Sequence, residues 1–485
     1  MRADRAERGR VVAAECRGRR WNRRTALGAG AAAVGWALAG CSGTAARTAA
    51  GPSPSNPRTT LVWAPWRVGW GSSWNAVFLD AVQPFMAEHP GVDVQIDIGG
   101  SSGSNDTALI PQIIAGTAPD VYSGYGPTKM IEGGYNLDLA PYLKAQNVDT
   151  SIFDQGEYSK FVGSNGVWAL PAELSTSAVI VNEGMLDDLG VAYPDRSWDY
   201  TSAAALWQQV ATKSATPGKS RVGFVYWGQK ASYLPGDYYL RGWGASAAAA
   251  NFSTKCGLDS PQALAFAQWW FPLLVDGVIA WNGAALPWPQ QVACGFAGSW
   301  SLPGFAAQRS VKWDFWPQPA WPQGTTAYAG NDYYAVSATT KNPELAATFA
   351  VWLTTSLTWQ QALMRLQLVV PPNSKLWPQW VEVVKAIAPP LADKHLDAFT
   401  VAPLQNRAFN HPAFAYGSDE AYSTIGTYTG QIPSGKLDPV GAFRQAAAAV
   451  DKLESGLAAA AAASSGLAGR FPTNGRPIAP VVNGV

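Results

Sequence analysis

Side-chain patterns that could support catalysis are few in this 485-residue sequence. The stretch "GGSSG" (residues 99–103) fits the pattern G-x-S-x-G of a serine nucleophile, and a strand is predicted before it. That motif requires a sharp turn from strand to helix with the serine at its tip. Here a run of Ser, Gly, Asn and Asp residues separates Ser101 from the next predicted helix, which begins at residue 107. We therefore favour a Gly/Ser-rich loop over a nucleophile.

Other catalytic or metal-binding signals are also incomplete. "GKS" (218–220) is similar to the end of a phosphate-binding loop, but Lys213 stands where that loop needs glycine. The three histidines and the cysteines lack zinc-ligand spacing, so we expect no metal and no cofactor. Two acids in a cleft are enough for a glycosidase. Glu157, Glu173 and Asp332 are candidates for such a pair, and this alternative stays open.

The N-terminal 40 residues read as an export signal. Residues 1–24 contain nine Arg and three acidic residues, and residues 26–40 are small and apolar. An apolar run of about 15 residues is too short to span a bilayer but suits a signal peptide. Arg23–Arg24 fits a twin-arginine signal, with the general secretory route as the alternative.

The cysteine at the end of this run, in "LAGC", resembles the lipobox of bacterial lipoproteins. The resemblance implies that Cys41 is lipidated and becomes the mature N-terminus. Residues 41–58 are rich in Gly, Ser, Thr and Pro, a composition that cannot bury enough apolar surface to fold, and we predict a flexible linker. We expect the protein outside the cytoplasm, anchored to the outer face of the membrane.

Removal of residues 1–40 leaves 26 basic and 31 acidic residues, a net charge of −5. A mildly acidic chain with scattered Lys and Arg is a poor binder of nucleic acid. Beyond Cys41, the mature chain keeps Cys256 and Cys294. Outside the cytoplasm these two thiols are expected to form a disulfide, because both fall in the same predicted lobe, with two buried free thiols as the alternative.

The remaining 445 residues alternate strand and helix patterns. A strand at 59–66, a helix at 74–91, a strand at 92–98 and a short helix at 107–116 follow one another. This order predicts an α/β fold with an open, largely parallel sheet. The chain is too long to fold around a single compact hydrophobic core, so two lobes are expected. The chain has 23 Trp, and flat indole faces suit stacking against sugars.

Five stretches carry a resemblance to a known family. They are "FMAEHPGVDVQI", "IIAGTAPDVYSGY", "GVWALPAELSTSAVIVNEGMLDDLGVAYPDRSWD", "CGFAGSW" and "YYAVSATTKNPELAATFAVWLTT". In this order they resemble family 1 of the extracellular solute-binding proteins of bacterial ABC importers, which bind carbohydrates and include maltose-binding protein. The resemblance covers residues 59–455.

The resemblance implies a type II periplasmic-binding-protein-like fold, in which two α/β lobes joined by a multi-segment hinge close on a ligand in the cleft. On this chain, the implied segments are 59–172 plus 331–385 for lobe one, 173–330 plus 386–465 for lobe two, and 466–485 as a flexible tail. The hinge crossings would fall near 171–176 and 330–333.

The resemblance also implies a set of ligand contacts, in which aromatic rings stack on the ligand and polar groups surround it. They are Trp66, Arg67, Tyr125, Glu173, Ser175, Trp243, Trp300, Asp332 and Tyr333. Maltose-binding protein has an acid near the position of Arg67, and this chain departs from it there. A cation at that position would suit an anionic solute of the glycerol-phosphate type, which is an alternative to a sugar.

The expected function is therefore capture, without chemistry, of a sugar, polyol or similar solute by a lipid-anchored monomer. Its partner would be the permease of an ABC importer. Two other classes remain open. One is an extracellular lipid-anchored glycosidase or esterase, and the other is a binding or sensing protein without a transporter.

Overall fold

The structure is a computed structural model. It describes residues 58–65, 72–97, 109–125, 130–131, 133–163, 166–214, 221–226, 228, 234–281, 288–330 and 332–464. The predicted lipidation site Cys41, the linker 41–58 except Arg58, the serine Ser101 and the tail 466–485 lie outside these residues.

Sixteen strands are formed by the described residues. In chain order they are β1 (Thr59–Ala64), β2 (Val92–Ile96), β3 (Val121–Tyr125), β4 (Val162–Gly163), β5 (Gly166–Val167), β6 (Leu170–Pro171), β7 (Ser177–Val181), β8 (Val222–Tyr226), β9 (Ile279–Trp281), β10 (Val292–Gly298), β11 (Asp314–Trp316), β12 (Ala320–Trp321), β13 (Gly324–Thr325), β14 (Ala327–Tyr328), β15 (Asp332–Val336) and β16 (Ala408–Phe409).

The α-helices of the described residues are α1 (Ser72–Ala81), α2 (Gln83–Glu88), α3 (Ile110–Ala115), α4 (Ala140–Ala145), α5 (Gln155–Tyr158), α6 (Glu183–Leu189), α7 (Tyr200–Lys213), α8 (Asp237–Gly242), α9 (Pro261–Val275), α10 (Leu302–Ala306), α11 (Pro343–Thr355), α12 (Leu357–Gln367), α13 (Trp377–Ile387), α14 (Ser418–Thr429) and α15 (Pro439–Ser464). Among the described residues, none of these helices combines the length and apolar character needed to cross a membrane.

Local sequence sets several helix ends. Asp199 accepts hydrogen bonds from the backbone N–H groups of Thr201 and Ser202, and so caps α7. Ser260 caps α9 in the same way. Gly190 ends α6 in the left-handed conformation at φ 58°, which glycine adopts without a Cβ penalty.

The first sheet has the strand order β2-β1-β3-β15-β6. Strands β1, β2 and β3 are parallel, and β15 runs antiparallel to both β3 and β6. Its core combines residues from 61–172 with residues from 333–369. Two chain segments far apart in sequence therefore build one sheet, and β15 enters it as the return strand.

The second sheet has the order β11-β7-β10-β8-β9. Strands β10, β8 and β9 are parallel, whereas β7 is antiparallel to both β10 and β11. One face packs on α7, α9 and α15, and the other face packs on the segment from Met364 to Ala408. These sheets confirm the predicted α/β class, although each carries antiparallel strands as well as parallel ones.

Two short crossings leave and enter the first sheet. Residues 172–176 lead from β6 to β7 of the second sheet, and Ala329 and Gly330 follow β14, which pairs with β16, on the way back to β15. They run side by side, because Thr176 and Ala329 form an antiparallel bridge and the N–H of Gly330 donates to the carbonyl of Ser175. A Cβ on Gly330 would overlap Ser175, so only glycine allows this approach.

The described residues from Arg58 onwards belong to one compact unit. The expected lobe boundary at residue 385 falls inside α13. On that helix Trp377 and Trp380 pack in the same cluster as Ile180 and Phe315 of the second sheet. The chain thus packs against the second sheet before residue 385, earlier than the expected boundary.

The predicted disulfide is not formed: Cys256 and Cys294 are free and buried. Cys294 lies in the middle of β10 within the core. The thiol of Cys256 donates instead to the carbonyl of Ala247, 3.2 Å away. Burial raises the pKa of each thiol to about 12, which keeps both protonated and unreactive.

Candidate functional site

A small recess, with a cavity volume of about 30 Å³, opens on one face of the first sheet, beside the two crossings. We call it the first-sheet recess. It is lined by Trp63, Pro65, Phe78, Ser123, Gly124, Ala172, Glu173, Asp332, Tyr333, Tyr334, Trp359 and Leu363. The lining residues come from β1, β3 and β15, the β6–β7 crossing, α1 and α12. The recess therefore lies where the ends of parallel strands meet the connection to the second sheet, a common ligand position in α/β folds.

Strand register explains which side chains reach this face. Trp63 is paired with Val121, two residues before Ser123, and Ser123 is paired with Tyr334. Because side chains alternate along a strand, Trp63, Ser123, Asp332 and Tyr334 share one face of the sheet.

Aromatic rings form the apolar wall of the recess. The ring of Trp63 makes edge contacts with Trp359 at 5.4 Å and with Phe78 at 5.8 Å between centroids. The indole N–H of Trp359 donates to the hydroxyl of Tyr334 at 2.9 Å. This bond fixes the Trp359 ring between α12 and the sheet.

Two carboxylates lie on the side of the recess that faces the crossings. The hydroxyl of Ser175 donates to Asp332 Oδ2 at 2.6 Å and lies 3.1 Å from Glu173 Oε1. All three side chains are buried. A serine hydroxyl has one proton and serves one of two acceptors at a time.

A second group of charges lies behind this pair, on and around α5. Lys160 Nζ donates to the carbonyls of Ala329 and Gly330, at 3.1 and 2.9 Å, and so holds the second crossing. Burial raises the pKa of Asp154 to about 7 and the pKa of Glu157 well above its ordinary value. Burial also lowers the pKa of Lys160 to about 8.

Polar atoms in the recess remain unsatisfied. The hydroxyl of Ser123 and the indole N–H of Trp63 are buried, and neither has a hydrogen-bond partner within the described part of the chain. Buried polar groups are normally hydrogen-bonded. Both residues line the recess, which has room for a small polar partner such as a water molecule.

On the second sheet, Trp300 lies directly after β10 and is half-buried. Its ring contacts Tyr328 at 5.6 Å and Phe296 at 5.8 Å. The Trp300 ring lies so close to Gly298 that a Cβ on residue 298 would overlap it. Trp300 is outside the lining of the first-sheet recess.

Two of the expected contacts direct their rings elsewhere. Tyr333 borders the recess, but its ring is fully buried on the opposite face of β15, 6.2 Å from Tyr122 and from Phe161. Trp243 packs 5.3 Å from Tyr200 and 5.7 Å from Trp269, in the helical layer of the second sheet. Alternation along β15 instead directs Tyr334, the neighbour of Tyr333, towards the recess.

The remaining expected contacts are only partly described. Trp66 and Arg67 follow β1 but lie outside the described residues. The backbone of Tyr125 ends β3, paired with Asp332, and its side chain is not among the described ones. The other three expected contacts, Glu173, Ser175 and Asp332, lie together beside the recess, where the Ser175 hydroxyl contacts both carboxylates.

Catalytic and metal-binding alternatives gain no support from the described residues. They contain no group of three or more His, Cys, Asp or Glu side chains able to hold a metal ion. Glu157 is fully buried behind the crossing. The hydroxyl of Ser175 lies between Glu173 and Asp332, where a glycosidase with this pair would need to place the sugar carbon under attack.

Trp63, Ser123 and Trp359 line the recess but are absent from the contacts expected from the sequence. Trp63 and Trp359 have the pattern of core residues, and they do pack in the first-sheet core. Ser123 offered one signal, a small polar residue in a strand otherwise made of apolar and aromatic residues.

Comparison with known sequences gives one family. The family described as bacterial extracellular solute-binding protein matches residues 64–356, more than half of the chain. No curated protein sequence matches.

Several solved structures share the fold. A binding protein for cyclic α-maltosyl-1,6-maltose from Arthrobacter globiformis has a TM-score of 0.68 and 15% identity, covering 82% of this chain and 100% of that one. An ABC substrate-binding protein from Listeria monocytogenes, solved with cycloalternan, has a TM-score of 0.62 and 18% identity, covering 82% and 99%. The GacH receptor of Streptomyces glaucescens, solved with acarbose, has a TM-score of 0.59 and 19% identity, covering 82% and 99%.

These similarities confirm the predicted fold class, because solved solute-binding proteins superimpose over almost their whole length. At such low identity they establish the fold and not the ligand. The family match extends from the end of β1 to the end of α11, and so includes β3, both crossings and β15. The chain belongs to the bacterial extracellular solute-binding protein family.

Proposed function

We propose that this protein is the solute receptor of an ABC importer, capturing a neutral sugar or sugar-like solute outside the cell and delivering it to a membrane permease. The observation that carries the proposal is the first-sheet recess, which combines aromatic walls with Glu173 and Asp332 beside both crossings. Sugars present apolar C–H faces and hydroxyl edges, and this lining offers a counterpart to each.

The structural relatives support the sugar assignment. The three described above are named with cyclic maltosyl-maltose, cycloalternan and acarbose, all carbohydrates or carbohydrate analogues. The alternative of a glycerol-phosphate-type solute rested on Arg67. No basic side chain belongs to the described lining of the recess, whereas two acidic ones do.

Closure would use the two crossings as a hinge. A ligand stabilises the closed form when the residues on the two sheets contact it together only in that form. On the second sheet we assign Trp300 to this role, because its ring is half-buried at the end of β10. Trp66, Arg67 and Tyr125 follow β1 or end β3, at the strand ends that lead towards the recess, and we retain them as proposed contacts.

We further propose that the receptor acts as a monomer attached to the outer face of the membrane through lipid on Cys41. The segment 41–58 would serve as its tether. The receptor performs no chemistry, and its ligand is released unchanged.

A thermal-shift screen of mono- and oligosaccharides, polyols and glycerol phosphates tests the proposal, with mass spectrometry of the recovered ligand. We expect stabilisation by at least one neutral carbohydrate and recovery of that compound intact. Recovery of cleaved sugar would show an enzyme instead. Stabilisation by none of the carbohydrates or polyols would contradict the proposal.

A further inference from the structure

Lys160 connects the first-sheet core to the second crossing. It follows α5 in the chain, between Tyr158 and Phe161, and both of these rings pack in the first-sheet core. The Nζ atom of Lys160 donates to the carbonyl oxygen of Ala329 at 3.1 Å and to that of Gly330 at 2.9 Å. One side chain therefore reaches from the first-sheet core to the segment that forms a hinge crossing.

The two carbonyl groups of the crossing depend on Lys160 for their hydrogen bonds. The N–H of Ala329 donates to the carbonyl of Phe409, and the N–H of Gly330 donates to the carbonyl of Ser175. Ala329 and Gly330 are buried, and in the described part of the chain no donor other than Lys160 reaches their carbonyl oxygens. A buried carbonyl without a partner is costly, so the lysine completes the pairing of this crossing.

The segment that carries Lys160 also contacts the strands before the crossing. The N–H of Gln155 donates to Oδ1 of Asn406 at 3.3 Å, and a Cβ on Gly156 would overlap the carbonyl oxygen of Ala408. Ala408 lies in β16, which pairs with β14 immediately before the crossing. The α5 segment is therefore docked on the β16 side, and this docking holds Lys160 opposite the crossing.

The titratable groups near Lys160 come from each element packed around it. They are Asp154 and Glu157 of the α5 segment, Asp332 of β15, Glu173 of the first crossing and His411 after β16. Burial lowers the pKa of Lys160 to about 8, and the charges of the nearby acids oppose that shift. Burial also lowers the pKa of His411, which is therefore neutral above pH 7. Lys160 thus loses its charge in a mildly alkaline range.

We propose that Lys160 is a positioning residue of the hinge, whose ammonium group clamps the second crossing and releases it on losing a proton. A hydrogen bond from a charged donor is roughly twice as strong as one from a neutral donor, so deprotonation weakens both bonds together. The crossing leads directly into β15 and Asp332, so a loose crossing is less well organised to receive a solute. This effect on capture rests on the proposed function, whereas the clamp does not.

The first test measures hydrogen–deuterium exchange in the ligand-free, full-length protein at pH 6.5 and pH 9, corrected for intrinsic exchange rates. In the wild type, protection of the peptide 329–333 should fall about fivefold more than that of β10, because local opening exposes the crossing alone. Lys160→Met keeps a long unbranched side chain without donors, and its crossing should be poorly protected at both pH values. The control Lys144→Met removes an exposed lysine of α4 and should follow the wild type.

Glu157→Gln separates the lysine from the acids, because it keeps Lys160 and cannot ionise at residue 157. The loss of protection with rising pH should persist in this variant. Its disappearance would show that the acid drives the change, and would refute the clamp. Equal protection of the wild type and Lys160→Met at pH 6.5 would also refute it. If Lys160→Met does not fold, the pH profiles of the wild type and Glu157→Gln decide the question.

Calorimetric titration with maltotriose, raffinose and D-sorbitol measures the effect on capture. A probe that binds the wild type at pH 7 should bind Lys160→Met about fivefold more weakly and Lys144→Met within twofold. Unchanged affinity in Lys160→Met would overturn the effect on capture. If none of these probes binds the wild type, the proposed function fails, while the exchange result still decides the clamp.

Discussion

The first-sheet recess and the aromatic cluster around Trp243 are built from similar rings but differ in their polar groups. Trp243 contacts Tyr200, Phe266 and Trp269, and its indole N–H is also buried without a partner among the described residues. The recess adds a buried hydroxyl, two carboxylates and a small open cavity beside the crossings. Indole rings therefore do not mark a binding site by themselves. In our proposal, the binding site is distinguished by rings that converge with hydrogen-bond acceptors and donors.

The largest effect is expected from removing an acid of the recess. Asp332→Ala should weaken sugar affinity by about thirtyfold or more, equivalent to about 2 kcal/mol, because it removes a charged acceptor and frees Ser175. Calorimetric titration measures the change, and circular dichroism verifies the fold. Affinity within threefold of wild type would remove Asp332 from the site.

The next effect concerns the opposite side of the proposed cleft. Trp300→Ala should weaken affinity by more than tenfold, about 1.4 kcal/mol, through loss of a stacking face on the second sheet. The protein should remain folded, since the ring is only half-buried. Unchanged affinity would confine the site to the first sheet.

The acids behind the crossing should affect stability rather than recognition. The raised pKa values of Glu157 and Asp154 mean that the folded state keeps protons which the unfolded chain has lost. This contribution is complete below about pH 4 and is lost as the pH rises towards and through 7. Glu157→Gln cannot ionise, so its free energy of unfolding should fall less between pH 5 and pH 8 than that of the wild type.

Denaturant unfolding at several pH values measures this difference. The control Glu382→Gln removes an exposed acid from α13 and should follow the wild type. Parallel curves for Glu157→Gln and the wild type would show that Glu157 is ionised in the folded protein.

The smallest effect on binding is expected at Trp243. Trp243→Phe should keep sugar affinity within twofold of wild type, because its ring contacts lie in the helical layer of the second sheet. Its unfolding free energy should fall by about 1 kcal/mol through looser packing. A tenfold loss of affinity would erase the contrast between the two aromatic regions.

The sequence was sufficient for elements with clear periodicity and end signals. The predicted helix 260–277 appears as α9 and ends before Gly277, whose φ is 70°. The predicted helix 74–91 is instead two helices, α1 and α2, separated at Val82. Pro84 explains the break, since proline suits the first turn of a helix and disrupts its interior.

The candidate site was predictable only where residues lie at the crossings. Glu173, Ser175 and Asp332 followed from the resemblance, and they do meet. The choice between Tyr333 and Tyr334 depends on the register of β15, since a shift of one residue exchanges the two faces. Cys256 and Cys294 pack in the same core cluster but not in one element, and membership of one cluster does not bring two thiols within bonding distance.

The most direct test of the account is a crystal structure of the protein with the neutral carbohydrate that stabilises it most. We predict an intact sugar whose hydroxyls lie within hydrogen-bond distance of Asp332 and Ser123, against the rings of Trp63 and Trp359. A sugar bound over Trp243, or one found cleaved, would contradict the account.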